Sequence, residues 1–177
     1  MKKTRTHPVM AATFLIAVFS MAGLAGEMAV RNSRTAAKQA ADEAYAAGVR
    51  SAIKLGRQGN LEAAREHLEA LVAERPDHTD ARFNLAVALA QLGKTDEAGA
   101  QFEKVISLDP KDFDAVVELA ALRVKAGKLA EALTLLESVP LGAGGLAEGA
   151  LRQTRWDALA SEERMKKLVA KHKGVDE

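Results

Sequence analysis

Residues 80–112 read DARFNLAVALAQLGKTDEAGAQFEKVISLDPKD, and the fold turns on how this stretch divides. Leu85, Ala86, Leu89 and Leu92 fall at i, i+1, i+4 and i+7, one face of a helix. Gly93 then supplies a left-handed residue that ends the helix without a Cβ penalty. Thr95 is placed to cap a second helix, with Asp96 and Glu97 in its first turn, where carboxylates meet the positive end of the helix dipole. Ala98, Phe102 and Val105 form the inner face of that helix. Asp109-Pro110 stops it, because proline disfavours helix at the residue before it and brings no N–H. The stretch predicts a helical hairpin.

The hairpin recurs. Pro76 and Pro110 are 34 residues apart, as are Gly59, Gly93 and Gly127; Ala64, Ala98 and Ala132; and Leu68, Phe102 and Leu136. Four columns on one period define a repeat. The alanine column has a steric reason, since a methyl lets two antiparallel helices cross closely. Asn60 is the cap expected in the first unit. One such hairpin cannot bury its apolar face alone, so the units are expected to stack into a right-handed array with a shared core.

Composition agrees. Apolar residues make up 48% of the 177 but aromatics only 4%, a bias toward Ala, Leu and Val that suits closely packed helices. The absence of cysteine excludes disulfides, thiolate zinc sites and a cysteine nucleophile. The net charge is +1, and with Lys2, Lys3 and Arg5 at the start, the rest holds 22 basic and 24 acidic side chains. Nothing in that balance calls for nucleic acid.

The middle unit's Leu85-Ala86, Gly93, Ala98, Phe102 and Leu108-Asp-Pro110 resemble the tetratricopeptide repeat (TPR) family. The third unit keeps Leu119, Ala120, Gly127, Ala132 and Leu136; the first keeps Leu55, Gly59, Ala64, Leu68 and Pro76, with Gly48 and Ser51 where bulkier residues are usual. The resemblance implies an all-α fold, a right-handed α-solenoid of about three TPR-like hairpins in residues 45–140, with units 45–78, 79–112 and 113–140. Arg82 and Arg123 stand where the family often has Trp and Tyr, and are expected to cover apolar surface with their stems while the charge stays in water. Pro140 follows Ala132 by eight residues instead of the twelve seen earlier. A Gly-rich linker at 141–145 then leads into capping helices at 146–173, with Trp156 packed inward, and a short tail at 174–177.

In TPR-like arrays the first helix of each unit lines a concave surface. Aligning the repeats, that surface would present Val49, Ile53 and Arg57; Phe83, Asn84, Val87 and Gln91; and Val117, Ala121, Val124 and Lys125. Its middle is an apolar ribbon, which points to a helical or extended peptide of a partner protein. One subclass of the family grips C-terminal carboxylates. Asn84 matches one of its positions, but Val49, Ile53, Asp114 and Glu118 occupy the others, and two acids would repel a carboxylate. The function expected is a non-catalytic interaction scaffold. The alternative is a self-associating protein whose repeats stack into dimers or larger assemblies.

The chain opens with a basic stub at 1–7 and an uncharged apolar run at 8–26, VMAATFLIAVFSMAGLAG after Pro8. As a helix this run would span about 28 Å, close to a hydrocarbon core of roughly 30 Å. Residues 27–44 continue without a breaker as a helical linker into the first repeat. The expectation is a single-pass inner-membrane anchor of bacterial type with the body in the periplasm, Lys2, Lys3 and Arg5 favouring a cytoplasmic start. The alternative is a signal peptide cut after small residues such as Gly23 and Ala25, leaving the body soluble in the periplasm or secreted.

Signs of catalysis were each missing a part. Gly93-Lys94-Thr95 resembles the end of a phosphate-binding loop, yet Ala88 stands where its first Gly belongs. Gly142-Ala-Gly144 follows a helix and Pro140, not a strand. His7, His67, His78 and His172 show no metal-ligand spacing. No cofactor, metal or catalytic residue is expected.

Overall fold

The hairpin turns are built the same way three times. Gly59, Gly93 and Gly127 have φ of +84°, +78° and +74°. Around each, the residue after the glycine donates its N–H five residues back: Asn60 to Leu55 O at 3.0 Å, Lys94 to Leu89 O at 2.9 Å and Lys128 to Arg123 O at 2.8 Å. Each glycine N–H bonds the carbonyl three residues earlier, so the pair closes a Schellman motif that only a left-handed residue permits. The chain reverses there and re-enters helix within two residues.

The structure is a computed structural model that describes residues 8–140 and 154–173, with the side chains of 8–26, 29, 154–155 and 171–173 outside the described residues. Its helices are α1 (Pro8–Arg57), α2 (Leu61–Glu74), α3 (Thr79–Gln91), α4 (Thr95–Leu108), α5 (Phe113–Lys125), α6 (Leu129–Ser138), a 3₁₀ helix (Thr154–Leu159) and α7 (Glu163–Lys173). All regular structure among the described residues is helical. Two compact units are formed, residues 1–47 and 48–177.

In the first unit the described side chains of 27–44 are exposed, Met28 at 62% and Val30 at 49%. The expected apolar anchor falls on 8–26 and so lies outside the described side chains. Among the described residues no helix is long and apolar enough to cross a membrane.

In the second unit α3 pairs with α4 and α5 with α6, while α2 packs on α3 and α4 on α5. The alanine column lies at the crossings, with Ala98 and Ala132 at 0% exposure, and Leu68, Phe102 and Leu136 fill the layer one turn on. Phe102 meets Phe83 of α3 edge to face, ring centres 5.4 Å apart. Side-chain capping departs from expectation. Lys94, not Thr95, is the α4 N-cap, and Asn60 caps α2 without a side-chain bond. The Schellman turn brings the chain into helix one residue too early for Thr95. Asp112, by contrast, accepts from Ala115 N–H at 3.0 Å at the start of α5.

The third repeat is sealed at its far side. Trp156 (1% exposed), Leu159, Met165 and Leu168 join Val117, Ala120, Leu133 and Leu136 in one cluster. Arg164 of α7 reaches α6 with a two-pronged pair to Glu137, Nε–Oε1 2.9 Å and Nη2–Oε2 2.6 Å. The guanidinium holds the Glu137 carboxyl below its ordinary value, and the carboxylate raises Arg164 in return.

Two outcomes follow. Phe102→Ala should lower unfolding stability by about 3–5 kcal/mol, the range for emptying an aromatic core position, in urea titrations. Because the Glu137 pKa is lowered on folding, its contribution is present above about pH 4.5 and is lost as pH falls through the folded value. Trp156 fluorescence in acid titrations should therefore report loosening of α7 at higher pH in Arg164→Gln than in the parent.

Candidate functional site

Helical periodicity decides which side of each first helix faces outward. In α3, Phe83, Val87 and Gln91 recur every fourth residue on one side, and Ala81, Leu85 and Ala88 turn into the core. The last turns of α1 set Ile53 and Arg57 against them. Between these helices, over a floor of Leu61, Ala64 and Leu68 from α2, is an open cavity of about 290 Å³. Six of the eleven residues assigned to a groove line it: Ile53, Arg57, Phe83, Asn84, Val87 and Gln91.

The cavity has an apolar centre and a polar margin. Phe83, half-buried, shows one side to solvent while its ring is wedged against Phe102. Arg57 and Gln91 are exposed at the margin. Asn84 is half-buried, and its Nδ2 donates to Asp80 O at 2.7 Å, which fixes the amide plane and leaves its Oδ1 directed away from that bond.

The other five residues are elsewhere. Val49 and Val117 are core, Val117 only 2% exposed among the residues around Trp156. Ala121 and Val124 pack, half-buried, on the same cluster, and Lys125 is exposed at the end of α5. The cavity thus gathers expected residues of the first two units, while Val117, Ala121 and Val124 of the third pack in the cluster that holds Trp156. Gly56, which also lines the cavity, was missed. A signal was available: the column Gly56, Ala90, Val124 grows from no side chain to a branched one, which leaves most room beside the first unit. A Cβ on Gly56 would stand 3.8 Å from Ala64 Cβ, in ordinary contact.

Both arginines expected to hold their charge in water are partnered instead. Arg82 donates to Gln101 Oε1 at 2.7 Å and to Pro76 O at 2.6 Å. Arg123, with 17% of its side chain exposed, pairs with Glu103 of α4 and, at 3.0 Å, with Glu131 of α6. On α2, Arg65 binds Glu62 and Glu69 at 2.7 Å each, and Glu62 is held below its ordinary value chiefly by that hydrogen bond. Among the described residues no three His, Asp or Glu side chains are grouped to hold a metal.

The tetratricopeptide repeat family matches residues 49–113 and again residues 93–152. No curated protein matches the chain. Among solved structures, MamA (residues 41 to the end) from Desulfovibrio magneticus RS-1 is 23% identical, with a TM-score of 0.61 over 75% of each chain. The Yersinia enterocolitica type III secretion translocator chaperone SycD is 19% identical, TM-score 0.52, covering 73% of this chain and 86% of its own. The same chaperone in complex with a peptide of the translocator YopD is 17% identical, TM-score 0.51, covering 73% and 92%. At these identities the likeness concerns the fold.

Proposed function

We propose that this chain, whose residues 49–152 are tetratricopeptide repeats, is a non-catalytic scaffold that holds a peptide or helical segment of a partner protein in the cavity between α1 and α3. The observation that carries this is the convergence of Ile53, Phe83 and Val87 on one opening, rimmed by Arg57, Asn84 and Gln91. Its 290 Å³ is at the small end of cavities that take whole ligands, roughly 300–1,000 Å³, yet roomy for one or two apolar side chains. The polar rim suits the main chain on either side of such an anchor. A solved structure of similar fold is a chaperone in complex with a peptide of the translocator it serves, which supports the same class of ligand here.

The scaffold works at a bacterial envelope membrane in this reading. The apolar run 8–26 is the tether, the helix continuing from it carries the repeats, and the body lies in the periplasm. Support comes from the length and lack of charge of that run, and from the basic residues before it.

Phe83→Ser with Val87→Ser should weaken partner capture from solubilised membranes by roughly tenfold or more, as loss of central apolar anchors does, with far-ultraviolet circular dichroism unchanged. Undiminished capture would remove the cavity from the mechanism. The tether is tested separately by the intact mass of the mature protein. A retained residue 1 or 2 is expected, and a start near Gly26 or Glu27 would replace the anchor by a cleaved signal peptide.

A further inference from the structure

A second cavity opens on the face built by the second helices of the units, between α4 and α6, with a volume of about 540 Å³. Residues two apart on a helix point nearly opposite ways, so Leu119 and Arg123 of α5 leave the side that bears Val117 and Ala121 and form the floor of this trough. Ile106 and Leu135 make its apolar walls, and Glu103 and Glu131 stand on opposite rims, each carboxylate about half exposed. Arg123 spans the floor between the two acids.

The chain departs from its own repeat here at two columns. Position 99 corresponds to Arg65, which on α2 claims Glu69, the counterpart of Glu103. On α4 that arginine is replaced by Gly99, and a Cβ there would stand 3.4 Å from Arg123 Nη1 and 3.8 Å from Leu119 Cδ1. Position 123 corresponds to Leu55 and Leu89, apolar in both earlier units. Each departure is locally unfavourable: a glycine weakens a helix interior relative to alanine, and a leucine site is given to a charge. Together they let the Arg123 guanidinium lie over Gly99 and set one cation between two acids, leaving a local charge of −1 over apolar walls.

We propose that this trough is a second docking site, separate from the α1/α3 cavity, for a helical segment of a partner that offers an aliphatic side chain and a lysine or arginine one turn away. The aliphatic group covers Ile106 and Leu135, and the cation meets the outward oxygens of Glu103 and Glu131. An acidic segment is repelled by the same two rims.

The test is calorimetric titration of the full chain with two short helical peptides that share their leucines and differ only in flanking lysines or glutamates. The lysine peptide should bind roughly tenfold tighter than the glutamate peptide and weaken as salt is raised. Glu103→Gln with Glu131→Gln should remove that preference. Ala130→Trp, which fills the trough from an exposed position and keeps both carboxylates, should abolish binding. Phe83→Ser with Val87→Ser should leave it unchanged. Equal affinity for the two peptides, no binding of either, or binding that survives Ala130→Trp but is lost with Phe83 and Val87 would each overturn the proposal.

Discussion

The close crossing of paired helices at Ala64, Ala98 and Ala132 sets the spacing of the repeats in residues 48–140. A methyl is all that fits, and the closeness it allows puts Leu68, Phe102 and Leu136, one turn later, into a shared layer. The left-handed glycines make that crossing reachable, since each reverses the chain in a turn closed by two backbone bonds. Helices of 13 and 14 residues on either side of such a turn, with a proline-marked break between units, account for the period of 34. A larger residue at the crossing would push the helices apart and open the layer above it. The repeat is thus a consequence of packing distance more than of propensity.

An array of this kind has ends, and the ends decide where it can bind. The same columns that turn Phe83 and Val87 to solvent turn Val117 and Ala121 into the residues around Trp156. The C-terminal 3₁₀ helix and α7 therefore cap the stack and also delimit the groove. Their attachment has an apolar part in Trp156, Leu159, Met165 and Leu168 and a polar part in Arg164 with Glu137. The polar part is exposed, so it orients α7 more than it stabilises it.

Legibility in the sequence followed the range of the interaction. Turns, crossings and core columns were readable because each depends on residues close in the chain or on one 34-residue period. The capping details were less so: whether Thr95 or Lys94 ends the turn is a matter of one residue, which backbone geometry settles. Projecting the period onto one helix face brings six of the expected groove residues to one cavity. Val117, Ala121 and Val124 lie outside that cavity because what packs on them comes from outside the period, about forty residues on. Arg82 and Arg123 followed the same logic. Snorkelling is the default for a lone arginine, but Gln101, Glu103 and Glu131 reach them from neighbouring helices, a relation no single-helix pattern displays.

A repeat protein carries its own reference state, and this gives its irregularities a meaning that an isolated helix would not provide. Where three units agree, as at Ala64, Ala98 and Ala132, the residue answers to packing. Where they disagree at a buried or half-buried column, packing alone would have accepted the residue found in the other units, so the difference needs another cause. The column Gly56, Ala90, Val124 changes by size, and its glycine stands at a cavity beside the first unit. The columns Arg65, Gly99, Leu133 and Leu55, Leu89, Arg123 change by charge and coincide at one trough, where each odd residue makes room for the other. Two compensating departures at one place are harder to reach by drift than either alone, because the intermediate with one change carries its cost without its partner. Asymmetry imposed on a stack that would be stable without it is where binding surfaces are to be sought, on both faces of the array.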